Sequence, residues 1–134
     1  MTSTAWVARR QELARLYYDN LGRLPGISFP AVPEGAVSTY KDFCIFVDKQ
    51  TFGIDRDELL ERLALSGIQT KRYFYPPVHQ LSVAKPVFAS VHLPNTDLKA
   101  SRVLALPMYS HMPFEDVEFV CRAVERAGME GAAA

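Results

Sequence analysis

Apolar and polar positions recur along this chain with two distinct periods, and the switches between them mark out its elements. Over residues 5–21, Leu13, Leu16, Tyr17 and Leu21 fall on one helical face, while Arg9, Arg10, Glu12 and Arg15 lie mostly elsewhere. Gly22 and the Pro25-Gly26 pair stop that helix. Ile27 and Phe29 alternate as in a short strand closed by Pro30 and Pro33, and residues 32–38 form a turn-rich connection. The continuous run Phe43-Cys44-Ile45-Phe46-Val47 is rich in strand formers and predicts a central, well-buried strand. A helix follows. Asp55 can cap it and Glu58, three residues on, can reach back in a capping box. Leu59, Leu60 and Leu63 supply its buried face, Glu58 and Arg62 pair on the exposed side, and Gly67 ends it in the left-handed conformation.

Residues 68–75 read as a strand, with Thr70, Arg72 and Phe74 on one side and Lys71, Tyr73 and Tyr75 on the other. Pro76-Pro77 ends it, because proline cannot donate to a ladder. Residues 78–94 look irregular. Asn95 or Thr96 caps a helix running to about Leu104, and residues 104–109 make a short edge strand around the breaker Pro107. The last helix is the clearest. Pro113 suits its first turn, Glu115 and Asp116 suit its N-terminal dipole, and Val117, Val120, Cys121 and Val124 repeat at i, i+3, i+4, i+7, with Gly128 as the stop and a frayed tail at 132–134. The order predicts one α+β domain over residues 1–134, a two-layer sandwich of helices on a small, mostly antiparallel sheet.

Composition narrows the function. Fifteen basic and fifteen acidic residues cancel, so no overall field draws nucleic acid or an anionic membrane, and any anion site must be local. No apolar run approaches the roughly 20 residues needed to cross a bilayer. Cys44 and Cys121 sit far apart in apolar stretches and read as core thiols, which fits a reducing cytoplasm. His79, His92 and His111 lack metal-ligand spacing, and no nucleophile motif or phosphate-cradling glycine loop occurs. The aromatic stretch Arg72-Tyr73-Phe74-Tyr75 suggests a base-stacking strand, but zero net charge argues against a nucleic-acid partner.

Three stretches, in order, carry a resemblance. They are residues 56–63 (RDELLERL) followed by Gly67-Ile68-Gln69-Thr70, then residues 72–79 (RYFYPPVH), then Leu93-Pro94-Asn95-Thr96 with residues 101–109 (SRVLALPMY). Together, from about Ala5 to Arg126, they resemble the C-terminal small domain of the DegT–StrS sugar aminotransferases, which depend on pyridoxal phosphate (PLP). The resemblance implies a fold-type I small domain whose parent enzyme moves an amino group, from glutamate, to a keto-sugar attached to a nucleotide. It implies that the Schiff-base lysine, the aspartate on the pyridinium nitrogen and the phosphate cup belong to a large PLP-binding domain. That domain would lie upstream of Met1, so this chain would hold no cofactor and would not turn over alone. Lys41, Lys49, Lys71, Lys85 and Lys99 match no PLP motif and read as solvated amines. A free-standing binding or assembly module of the same fold is the alternative.

By the same resemblance, the segment from Tyr73 to His79 faces the nucleotide-sugar. Tyr73, Tyr75 and His79 are the expected substrate-binding residues: aromatic faces suit a sugar or base, and tyrosine or histidine can bond hydroxyl or phosphate oxygens. Tyr73 and Tyr75 are two apart on the expected strand and so share a face, and the two prolines keep His79 near it. Phe74, on the opposite face, is expected in the core. Lys71 and Arg72 are candidates for holding a phosphate or plain edge charges. The first helix would join the two domains, so Trp6, Tyr17 and Tyr18 are expected to expose an apolar face through which the chain self-associates, in keeping with a dimeric parent.

Overall fold

A computed structural model describes residues 2–134. The sheet has three antiparallel strands in the order β1 (Ile27–Ser28), β2 (Phe43–Val47), β3 (Val103–Leu106). Ile27 stands opposite Val47, Phe43 opposite Leu106 and Ile45 opposite Leu104, so the apolar run is the central strand. Phe43, Ile45 and Val47 are buried while Cys44 and Phe46 are half-buried, the period-2 mark of a sheet more thickly covered on one face. The long helices α1 (Ser3–Leu21) and α6 (Phe114–Ala132) and the shorter α3 (Arg56–Leu65) bring Leu13, Leu59, Leu63, Val117 and Val124 into one cluster with Phe43 and Ile45. Two single turns, α2 (Lys49–Phe52) and α4 (Lys85–Phe88), and the helix α5 (Pro94–Arg102) complete the set. Among the described residues no helix is long and apolar enough to cross a membrane.

Local chemistry accounts for α3. The Asp55 carboxylate accepts from the Glu58 amide at 2.9 Å. Glu58 does not reach back; its carboxylate takes the Arg62 guanidinium at 2.6 Å, and Arg62 also donates to the Ala127 carbonyl at 3.1 Å, tying α3 to α6. At the other end the Ile68 amide reaches the Leu63 carbonyl and the Gly67 amide reaches Ala64, both at 2.9 Å, with Gly67 at φ +77°. This is a Schellman closure, and buried Leu63 and Ile68 are its apolar contact.

The hydrogen bond from the Glu58 amide, and then the one from Lys49, hold the Asp55 carboxyl below the ordinary range. A depressed native pKa contributes stability that is present above the unfolded carboxylate range and lost as pH falls through the native value. Asp55→Ala should therefore cost about 1 kcal/mol at neutral pH. Urea titrations of both forms should converge in acid; a gap that persists there would assign the loss to something other than the carboxylate.

Five expectations are corrected. Residues 68–75 are not a strand: only Lys71 pairs, exchanging bonds with Ala105 of 3.1 and 2.7 Å. Beyond that bridge the chain turns through residues 73–76, with Arg72 paired to Asp57 of α3 at 2.9 Å, and Pro76 and Pro77 have no amide to offer a ladder. The helix expected from Asn95 or Thr96 begins at Pro94 without a side-chain cap, proline being tolerated where amides are unpaired anyway. The strand expected at 104–109 is Val103–Leu106, buried at every position and flanked by β2 on one side and Lys71 on the other. Gly128 does not stop α6. It lies inside the helix, where its lack of a Cβ lets the Phe52 ring pack so closely that a Cβ there would sit 2.6 Å from Cε2.

The fifth correction concerns the α1 face. Tyr17 is fully buried, stacks on Phe43 at 4.6 Å between centroids and donates its hydroxyl to the Pro107 carbonyl at 2.7 Å. Tyr18 is half-buried against Phe29 and Phe43, and half-buried Trp6 meets His111 edge to face. That face belongs to this chain's own core and the loops beside it. Burial also pushes the thiols up, Cys44 to about 11 and Cys121 to about 12, so neither is a thiolate near neutrality.

Candidate functional site

On the thinly covered face of the sheet, α5 leaves an open cleft of about 720 Å³. The half-buried ring of Phe46 looks out from β2 into it. A 3-10 turn (Val78–Gln80), set by buried Pro77, forms one wall, and Phe88, Val91 and Leu93 form another. The lining is mainly apolar, with few convergent polar groups, which is the usual character of a small-ligand site. Those groups are His79, Asn95, Thr96 and Lys99.

His79 is well packed, its side chain 11% exposed, and its Nε2 lies 2.8 Å from Asp97 Oδ1. The Gln80 amide donates to the same oxygen at 2.7 Å. Lys99 places its ammonium 4.3 Å from the centre of the Phe46 ring and has no carboxylate in ion-pair range among the described residues. An unpaired cation held by a ring face is poised for an anionic oxygen.

The structure brings Tyr73 and His79 to one cleft and leaves Tyr75 outside its lining. Because residues 73–76 turn instead of running straight, the two tyrosines do not share a strand face. Tyr73 is half-buried and stacks on Phe74 at 5.3 Å. Phe74 is not in the core; at 78% exposure it is among the most open apolar side chains, and it lines the cleft. Tyr75 is half-exposed and lies under the Arg56 guanidinium, 4.9 Å from ring centre to Cζ. Lys71 reaches within 5.9 Å of the Tyr73 ring centre, whereas Arg72 is engaged with Asp57.

The pattern of the sequence does not single out Lys99, which reads there as a solvated amine, nor Arg56. Arg56 is only 2% exposed and donates to the carbonyls of Ala100 at 3.1 Å and Val103 at 3.0 Å, and to Asp57 at 2.7 Å. It pins the junction of α5 and β3, which floors the cleft through Ala100 and Val103. The signal was its position: a cation at the first helical residue opposes the dipole, which favours acids there, so it needs compensating bonds elsewhere. Of the other histidines, His92 is exposed and His111 contacts Trp6.

The model of the DegT/DnrJ/EryC1/StrS aminotransferase family matches residues 3–125. Among solved structures, DesI, crystallised in the presence of its TDP-sugar product, is 27% identical and superposes with a TM-score of 0.84 over 95% of this chain and 32% of its own. The aminotransferase TlmJ from Streptoalloteichus hindustanus is 30% identical, with a TM-score of 0.78 over 92% of this chain and 32% of its own. DesV of S. venezuelae, captured with a ketimine intermediate, is 28% identical, with a TM-score of 0.80 over 93% and 32%. The chain thus spans about a third of the length of each.

Proposed function

Since the chain belongs to the DegT/DnrJ/EryC1/StrS aminotransferase family, we propose that it is the substrate-contacting portion of a PLP-dependent enzyme that transfers an amino group to a nucleotide-linked keto-sugar. What carries the reading is the cleft in which Tyr73, His79 and Lys99 converge, within a chain that matches the family along nearly all its length. The rings of Tyr73 and Phe74 offer faces for a sugar or base. Lys99 suits a phosphate oxygen and His79 a sugar hydroxyl. Tyr75 acts at one remove, by packing on the Arg56 that holds the cleft floor.

The described residues do not fit PLP itself. Its chemistry uses a lysine within reach of the aldehyde and an acid on the pyridinium nitrogen. All five lysines are exposed, and no carboxylate lines the cleft beside Lys99; Asp97 is engaged by His79 and Gln80. The role of this chain is with the substrate, and we assign the cofactor to a large PLP-binding domain. Val83 and Val87, exposed apolar side chains next along the chain to the cleft wall at Phe88, are the seat we assign to that domain. Self-association of the chain by itself would use this face and not α1. A cytoplasmic setting suits its free thiols.

In the complete enzyme, His79→Ala should raise the KM for the sugar-nucleotide acceptor about ten-fold, the worth of one lost hydrogen bond, and leave the PLP absorption band unchanged. An unaltered KM, or a shifted cofactor band, would overturn the assignment.

A further inference from the structure

The inward stripe of α1 does not end where the core ends. Leu13, Ala14 and Tyr17 are buried on it, and the same spacing carried back towards the helix start falls on Arg10, Val7, Trp6 and Ser3. Those four line an open cleft of about 610 Å³ that has no lining residue in common with the one beside His79. The rest of its wall is Thr39 and Lys41, from the loop before β2, and Ser110 and His111, from the turn before α6. Both of these segments are tied down. Between Thr39 and Lys41, the Tyr40 ring packs against Tyr18 and Phe43, and the Tyr40 amide donates to the Ser38 hydroxyl at 3.2 Å. Met112, buried next to His111, donates its amide to the Tyr109 carbonyl at 3.0 Å, and its own carbonyl accepts from Arg9 at 3.1 Å. A cleft held in shape before binding spares a ligand the cost of ordering it.

Charge sets the chemistry of this second cleft. Arg10 is half-buried on the inward stripe, yet its one hydrogen bond runs from Nε to the Ser110 hydroxyl at 3.0 Å, and its terminal nitrogens have no protein partner among the described residues. Neither Arg10 nor Lys41 has a carboxylate in ion-pair range among the described residues, and no acid lines the cleft. The chain as a whole is neutral, so this is a local excess of positive charge and not part of a general field. A guanidinium fork matches the oxygens of a phosphate, and hydroxyl groups and an imidazole are further partners for them. A single carboxylate would need only one of the two cations; a phosphate dianion uses both. We propose that this cleft is a separate anion site, which takes the phosphate group of a small phosphate monoester at Arg10 and Lys41 and leaves the organic part against Trp6 and Val7. The site stands independently of the reading of the cleft beside His79.

Trp6 is the one tryptophan of the chain and lies in the site, so its emission reports occupancy directly. In the 134-residue chain, at neutral pH and constant ionic strength, millimolar inorganic phosphate and glucose 1-phosphate should each shift that emission saturably. Chloride should not, and acetate should act far more weakly. Arg10→Gln should weaken both phosphates roughly ten- to hundred-fold, the worth of hydrogen bonds to a charged group. Lys41→Gln, at an exposed loop position where folding is not at stake, should weaken them about ten-fold. Lys99→Gln, in the other cleft, should leave the Trp6 response intact. The absence of a saturable shift overturns the proposal, as does a shift that survives both Arg10→Gln and Lys41→Gln, one that Lys99→Gln abolishes, or an equal one with acetate. Inorganic phosphate bound without glucose 1-phosphate overturns it too, because the site then has no room for an ester. In the complete enzyme, calorimetry with glucose 1-phosphate should show binding with the same dependence on Lys41. Loss of that binding would mean that another part of the enzyme covers this face, and the ligand site fails.

Discussion

Arg56→Ala should lower the unfolding free energy of this chain by about 2–6 kcal/mol, because two buried carbonyls lose a charged donor at about 1–3 kcal/mol each. Nη1 of Arg56 serves both Ala100 and Val103, at the point where α5 gives way to β3, and alanine reaches neither. The Asp57 partner adds little, since it is half-exposed and keeps Arg72. The packing of the guanidinium on Tyr75 is lost as well. Arg56→Lys should recover less than half, because a single ammonium cannot span the two carbonyls and the carboxylate that the planar fork spans. Urea midpoints of the three proteins decide it. A loss under about 1 kcal/mol for alanine, the level of an ordinary net hydrogen bond, would show that water replaces the guanidinium at little cost.

Gly26→Ala should destabilise by about 2–5 kcal/mol through two additive effects: a left-handed backbone, worth about 1–2 kcal/mol, and overpacking, worth about 1–3 kcal/mol. Gly26 has φ +81°, and a Cβ there would fall against the Phe52 amide nitrogen and 2.6 Å from the Phe52 Cβ. Relief requires moving the backbone of α2, because the obstruction is main chain and not the end of a mobile side chain. The Gly26 carbonyl also receives the Asp48 amide at 2.8 Å, so a shift pulls on the end of β2. Gly35 is the control. It has φ +78° but nothing within 4 Å of its would-be Cβ, so Gly35→Ala should cost only the backbone part, about 1 kcal/mol. Thermal melts of the two variants separate the contributions, and equal losses would refute the steric one.

The candidate cleft is legible in part. The order and spacing of the three family-like stretches are sequence properties, and the family match spans residues 3–125, which contain all three. His79 and Tyr73 stand out because their residue types suit sugar chemistry and lie beside a proline break. Phe88, Val91 and Leu93 do not, because they follow neither helical nor strand period, and apolar residues without a period point to no wall. Asp97 escapes notice because an acid in the first turn of a helix has an ordinary explanation already.

What the sequence alone determined is whatever depends on neighbours a few positions apart. The density of Phe43 to Val47 makes a central strand, Asp55 caps α3, Gly67 closes it, and the spacing of Val117, Val120, Cys121 and Val124 lays α6 on the core. Each of these signals is complete within about one or two helical turns. What only the tertiary structure decided involves partners far along the chain. Arg56 is buried because it meets carbonyls 44 and 47 residues away, and residue 128 must lack a Cβ because Phe52 crosses it. The segment after Lys71 leaves the sheet and turns, which separates Tyr75 from the cleft that Tyr73 and His79 line. Local propensity allows a strand at 68–75, yet it makes one bridge, to Ala105, more than thirty residues along the chain, and no periodicity records where a distant strand stops offering partners.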